Sequence, residues 1–279
     1  MKKRKISMNT ICYLLLIFFM MVIFVMPIAL AILTSFKSKP ELAKSVIGLP
    51  ETLYLKNYSE AIVRSDFARS LTNTALVVFP SVVLIVLCSS MSGYAVARYS
   101  KETRSLRILD KIYLASLMIP FQILMIPVYK IYKTLNLLNS LPGMVLMLVG
   151  TSIAYSSFLY VGFVKSVPRE IEESAYIDGC SEFRSFWLIT FPLLKPISAT
   201  VASLHVMWLW NDFNISIILL QKESVRTITI KQFYFFGQYT ADYGMAFAAA
   251  ILSMIPVVLC FVFMQRYIVN GITVGAVKS

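Results

Sequence analysis

Long apolar runs alternate with shorter polar stretches along the chain. Six runs stand out, at residues 11–36, 71–97, 108–132, 141–164, 193–220 and 244–269. A helix needs about 20 apolar residues to cross the hydrocarbon of a bilayer, and each run supplies them. The pattern predicts six membrane-spanning helices and an all-α integral membrane fold. Pro27, Pro80, Pro120, Pro127 and Pro256 interrupt the runs. Two readings are open for each: a kink of use to a transporter, or an ordinary membrane-helix proline whose freed backbone groups are re-satisfied by neighbours.

The polar stretches suggest a topology. The first run follows Lys2, Lys3, Arg4 and Lys5. A basic start, with the small residues Ala29 and Ala31 flanking Leu30, is also the mark of a cleaved leader, but the apolar run continues through that tripeptide. The reading is a retained first helix with the N-terminus inside. Six helices then put the loops after the second and fourth, and the C-terminus, in the cytoplasm. More of the 26 Lys and Arg residues fall on that side than outside, as the positive-inside rule asks. The segment 37–69 weakens the bias, although long loops count less in this rule. It is expected to fold as an external cap, with a short amphipathic helix over 57–69. The chain reads as one transmembrane domain: a first helix at 11–36, an outer loop at 37–70, core helices within 71–269 and a tail at 270–279.

Composition agrees. The chain is 58% hydrophobic and only 14% charged, with a mean hydropathy of +0.74. A soluble domain carries roughly a quarter charged residues. The formal charge of +12 lies between the apolar runs, where topology and anionic lipid headgroups account for it. No basic face with interleaved aromatics appears, so nucleic acid is not an expected partner. Cys12, Cys88, Cys180 and Cys260 form no paired spacing, and His205 is the only histidine. Neither a metal site nor a disulfide framework is expected. His205 is read as a helix-packing residue.

The polar stretch 168–192 has the most structure. Pro168 suits the first turn of a helix, and Glu170, Glu172 and Glu173 place negative charge at its positive end. Ile171 and Ala175 share a face. Gly179 can take the positive φ that ends a helix, and Ser181 can cap a second one with Glu182 in its first turn. Pro192 and Pro196 open the next span. The stretch holds no nucleophile–base pair, no metal ligands and no glycine-rich phosphate loop. Two readings are open on these grounds: a docking element for a partner, or an amphipathic loop lying on lipid.

The spacing Glu173, Ser174, Ala175, three residues, Gly179, nine residues, Ile189, one residue, Phe191, Pro192 resembles the EAA signature of bacterial ABC-importer permeases. Ser174 stands where the strict pattern has Ala, and Phe191 where it has Leu. The segments 118–127, 137–140, 210–213 and 265–278 are similar to MalG-type permeases of the carbohydrate-uptake branch. The resemblance implies a type I ABC importer permease fold with cytoplasmic coupling helices. It implies import of a sugar or oligosaccharide by alternating access, with a polyol or glycerol phosphate as the alternative solute. The expected coupling set is Glu173, Ser174, Ala175, Asp178, Gly179, Ile189 and Pro192, seated in a cleft of a cytoplasmic ATPase. Glu173 would meet a basic residue there. The tail, through Gly275 and Lys278, would touch the same ATPase, the other reading of the tail being a frayed end. Expected partners are a second homologous permease subunit, two ATPase copies carrying ATP and Mg, an extracytoplasmic solute-binding protein and membrane lipid. The chain itself would bind no cofactor and would not be an enzyme. An ion-coupled secondary transporter would more often show inverted repeats and ion-coupling acids, and it leaves the signature unexplained.

The fifth run holds Trp208, Trp210, Asn211, Asp212 and Asn214. Rings stack on sugar C–H faces, amides and carboxylates bond hydroxyls, and an acid within a span usually faces a cavity or a partner. A sugar path is one reading of this cluster. An interfacial aromatic belt with a structural aspartate paired to a neighbouring helix is the other. Gln122, between two prolines, is a further candidate for lining the path.

Overall fold

The computed structural model describes residues 8–238 and 242–276, and all regular structure among them is helical. In chain order the helices are α1 (Met8–Ser35), α2 (Lys39–Lys44), α3 (Lys56–Arg64), α4 (Phe67–Tyr99), α5 (Arg104–Ser116), α6 (Phe121–Thr134), α7 (Leu141–Val164) and α8 (Glu170–Ile177). Then come α9 (Glu182–Ser185), a π-helical turn (Phe186–Thr190), α10 (Phe191–Leu193), α11 (Lys195–Trp210), α12 (Ser216–Leu219), α13 (Ile228–Gln238) and α14 (Tyr243–Ala276).

Four helices are each long and apolar enough to cross a membrane by themselves: α1, α4, α7 and α14. Two more spans arise if bent pairs are counted as one each, α5 with α6 at 110° and α9–α10 with α11 at 73°. The third expected run is thus not one helix. It breaks before Pro120, whose extended conformation (ψ 133) starts α6, because a residue preceding proline is pushed out of the helical region. Pro27, Pro80, Pro127 and Pro256 stay inside helices. The fifth run also corrects: its helix stops at Trp210, and residues 211–215 form a turn instead of continuing to 220.

The chain divides into two compact units. One comprises Met1–Phe67 with Gln232–Ile255. Here the side chain of Asn57 donates to the Ser35 and Lys37 carbonyls (2.9 and 2.8 Å). Lys37 is buried, and its ammonium donates to the Ser45 and Val46 carbonyls beyond the end of α2. Ser38 and Glu41 form a capping box at the start of α2, and the backbone N–H groups donating to Glu41 hold its carboxyl below its usual value. Ala61, Phe235, Met245, Ala246, Ala248 and Ala249 make the apolar core. The short helix expected over 57–69 is present as α3, ending five residues earlier. In α1 the apolar side chains from Tyr13 to Met26 are exposed, as suits an apolar surrounding.

The other unit comprises Ala68–Lys231 with Pro256–Ser279. Its helices meet through small residues, which let backbones approach in a membrane protein. Gly93 of α4 packs on Ser157 and Tyr160 of α7. Ser156 of α7 hydrogen-bonds His205 of α11 at 2.6 Å, and the Tyr160 hydroxyl donates to Ser198 at 2.8 Å. His205 is buried in this contact, in keeping with its reading as a packing residue.

Candidate functional site

The stretch 168–192 forms two short helices joined by a glycine turn. Pro168 lies just ahead of the first of them, α8, and not in its first turn. Glu170, Glu172 and Glu173 occupy that first turn. At the other end Gly179 has φ +83. Cys180 N–H donates to the Ala175 carbonyl (2.9 Å) and Gly179 N–H to the Tyr176 carbonyl (3.1 Å), the crossed pair of a Schellman motif. Ser181 then caps α9, its hydroxyl oxygen accepting from Arg184 N–H. The chain passes through the π-helical turn, where Phe183, Phe186, Trp187 and Phe191 pack ring against ring. Pro192 and Pro196 fall in the first turns of α10 and α11, positions that need no proline N–H.

The two sides of α8 differ. Glu172 is 2% exposed. Its carboxylate accepts from Arg98 Nε (3.0 and 3.1 Å), Arg98 Nη2 (2.7 Å) and the Tyr94 hydroxyl (3.1 Å). Arg98 Nη2 also donates to the Val167 carbonyl (3.0 Å). Ala175, one turn on, is buried as well. Phe186 packs against the Tyr94 ring at 5.0 Å, the two rings tilted by 50°. By contrast Glu173, Ser174, Asp178 and Gly179 are exposed. Beside them stand Ile177, 87% exposed, and Phe183, 67% exposed. Ile189 is half-buried and Pro192 exposed. The loop therefore has a fixed back and an open front of mixed acidic and apolar character.

The aromatic cluster of the fifth run separates into two kinds of residue. Trp208 is 49% exposed, with its ring 5.3 Å from Tyr155 of α7 and edge-on to His205 at 5.4 Å. Asn211 and Asn214 are exposed. Trp210 is buried. Asp212 turns onto its own loop, its carboxylate accepting from Ser216 N–H (2.9 Å), Ser216 hydroxyl (2.8 Å) and Ile215 N–H (3.4 Å). Its carboxylate is thus satisfied within its own turn, and not by a neighbouring span. Gln122 is exposed on α6. Gly275 lies within the backbone of α14, and Lys278 lies outside the described residues.

The profile of binding-protein-dependent transport system inner membrane components matches residues 89–274, and the match takes in the whole loop. The chain belongs to this family. Among its relatives is a probable starch degradation products transport system permease protein of Thermoanaerobacterium thermosulfurigenes, 35% identical over 92% of this chain and 93% of that protein. An arabinooligosaccharides transport system permease of Halalkalibacterium halodurans is 33% identical over 99% of this chain and 100% of its own length. A melibiose/raffinose/stachyose import permease of Bacillus subtilis is 31% identical over 91% of both chains. In fold, the chain is similar to a subunit of a bacterial ABC transporter for alginate import, with a TM-score of 0.79 over 96% of this chain and 99% of that one, at 21% identity.

For an inner membrane component of this kind, sequence reasoning found the loop but missed its anchor. Glu170, Glu172 and Glu173 look equivalent as charges near a helix start. The available signal was phase. Glu172 lies three residues before Ala175, on the apolar side of α8. Tyr94 and Arg98 are four apart near the end of α4, a spacing able to receive one carboxylate. Tyr155 was missed too, because nothing along the chain ties residue 155 to residue 208.

Proposed function

We propose that this chain is a permease subunit of an ATP-driven importer for a sugar or oligosaccharide, and that the 168–192 loop is where its ATPase engages it. One observation carries the reading. The loop holds no chemistry of its own, is bolted at the back through Glu172, and presents Glu173, Ser174, Ile177, Asp178 and Phe183 outward. A rigid element with an open amphipathic front is what a partner can push. In this reading the N- and C-termini and the loop are cytoplasmic. Two ATPase copies hold ATP and Mg. A second, homologous permease completes the pathway, and an extracytoplasmic binding protein delivers solute. Gly275, near the end of α14, and Lys278 would contact the same ATPase.

A sugar as solute is supported by relatives named for starch products, arabinooligosaccharides and raffinose-type sugars. It is also supported by the Tyr155–Trp208 ring pair, whose exposed indole can stack on a sugar face, with the amides of Asn211 and Asn214 nearby in sequence and Gln122 on α6 as a further lining residue. Ala175 and Gly179 serve the docking by small size and by turn, with Ile189 and Pro192 fixing the exit into α11.

The experiment is transport by the reconstituted complex carrying Gly179→Asp. An aspartate at φ +83 is strained, and it adds charge at the exposed turn. The expected outcome is a protein that still reaches the membrane, with uptake lost while ATP hydrolysis persists. Normal uptake by Gly179→Asp would overturn the docking assignment.

A further inference from the structure

Resting on the reading of the 168–192 loop as the ATPase's docking site, we infer that Arg98 is the positioning residue through which a push on the loop reaches the membrane-spanning part of the protein. The route is a single guanidinium at the end of α4. Its Nε and Nη2 grip both oxygens of Glu172, and its Nη2 also holds the Val167 carbonyl in the turn before α8. One turn earlier on α4, the Tyr94 hydroxyl donates to the same carboxylate, and its ring packs on Phe186 beyond the second loop helix. The start of the loop, its first helix and its exit are thus all tied to one turn of α4.

The tie matters because the alternatives are soft. α8 has only eight residues, and it is followed by a turn at Gly179 with open space where a side chain would stand. Displacement of such an element would be absorbed by local bending unless a stiff contact passed it on. A charged bidentate bond, both partners buried, is the stiffest non-covalent contact available here. It is directional as well, since the planar fork resists sliding in a way that an apolar contact does not. The surface that the partner would press, at Glu173, Ser174 and Ile177, lies on the opposite side of the same short helix. Arg98 therefore makes α8 and the end of α4 move as one piece.

The test uses the whole transporter with its partner subunits in proteoliposomes. A bimane probe is placed on Cys88 of α4, which is exposed, the other cysteines being replaced by serine. Fluorescence is read before and after trapping with ATP and vanadate, and nucleotide trapped is measured on the same sample. In Glu172→Gln the fluorescence change per trapped nucleotide should fall about tenfold, a size within the usual range of coupling between sites. The double variant Arg98→Glu with Glu172→Arg should recover a large part of it, which loss of general packing would not do. An unchanged signal in Glu172→Gln overturns the inference. If Glu172→Gln does not assemble, Arg98→Lys decides, since it keeps the charge and removes the planar fork that grips both carboxylate oxygens: a reduced signal supports the inference and a full signal overturns it. Gly179→Asp separates the two levels. A normal signal there removes the docking reading itself, whereas loss there with a normal signal in Glu172→Gln removes only Arg98 as the transmitter.

Discussion

Gly93 offers a test of how closely α4 and α7 are packed. A Cβ at this position would lie 2.5 Å from Tyr160 Cβ, 3.0 Å from the Ser157 carbonyl oxygen and 3.2 Å from Val161 N. Carbons in contact settle near about 3.5–4.0 Å, so Gly93→Val would drive the two helices apart by roughly 1 Å. Two of the three neighbours are backbone. The third belongs to Tyr160, which is fully buried and tied to Ser198, so it has nowhere to swing. Overpacking of this kind costs about 1–3 kcal/mol, and the two γ-methyls push Gly93→Val toward the upper end. The gain from replacing a helical glycine is less than about 1 kcal/mol, too small to offset it. A loss of roughly 2 kcal/mol follows. At about 2–4 °C per kcal/mol for a chain of this size, the melting midpoint should drop by roughly 4–8 °C. Gly150 and Gly162 lie on α7 with nothing within 4 Å of their would-be Cβ atoms, so Gly150→Val and Gly162→Val are matched controls. The assay is thermal unfolding of the detergent-purified protein followed by size-exclusion chromatography. An unchanged midpoint in Gly93→Val, or an equal drop in the controls, would refute the reasoning.

Three further outcomes are expected. Ser140→Ala removes the hydroxyl oxygen that accepts from Gly143 N–H at the start of α7, and should lower stability by about 1 kcal/mol in the same melt. Gly244→Ala would place a Cβ 2.6 Å from Asn57 Nδ2 and 2.8 Å from the Lys37 carbonyl; the 37–66 segment should then be cut faster by protease at unchanged expression, and equal cutting rates would count against this packing. The hydrogen bond from Lys231 holds the Glu223 carboxyl below its usual value. A depressed folded-state pKa gives stability that is present above about pH 4.3 and is lost as the pH falls through the folded value. The melting midpoint of the native protein should therefore fall more steeply below that pH than that of Glu223→Gln, and parallel curves would refute the assignment.

The sequence carries different parts of this structure with different clarity. α7 begins and ends at the residues that mark its apolar run, because Ser140 and Pro142 give it a sharp start. The break before Pro120 was harder to read. Five prolines interrupt the interiors of the six runs, four of them stay inside intact helices, and only at Pro120 does the chain bend, by 110° between α5 and α6. The end of α11 at Trp210 was hidden by the apolar residues that follow, since Ile215, Leu219 and Leu220 are buried in and beside the short α12 and not as part of a span. In the loop at 168–192 the local signals sufficed for two helices and a glycine turn. The buried Glu172 was not evident, because its burial is set by Tyr94 and Arg98, more than seventy residues earlier in the chain.

The bare flank of α1 has a consequence for how this protein can vary. From Tyr13 to Met26 its apolar side chains are exposed, so no shaped neighbour among the described residues selects one of them over another. What such a segment must keep is length and oiliness, a property of its composition and not of its order. Scrambling these residues should leave insertion intact, and substitutions there should accumulate freely. Close to its end the constraint changes kind. Thr34, Ser35 and Lys37 are buried and bonded, so the information that locates this helix is concentrated in one turn, much as a mooring line is fixed only at its cleat.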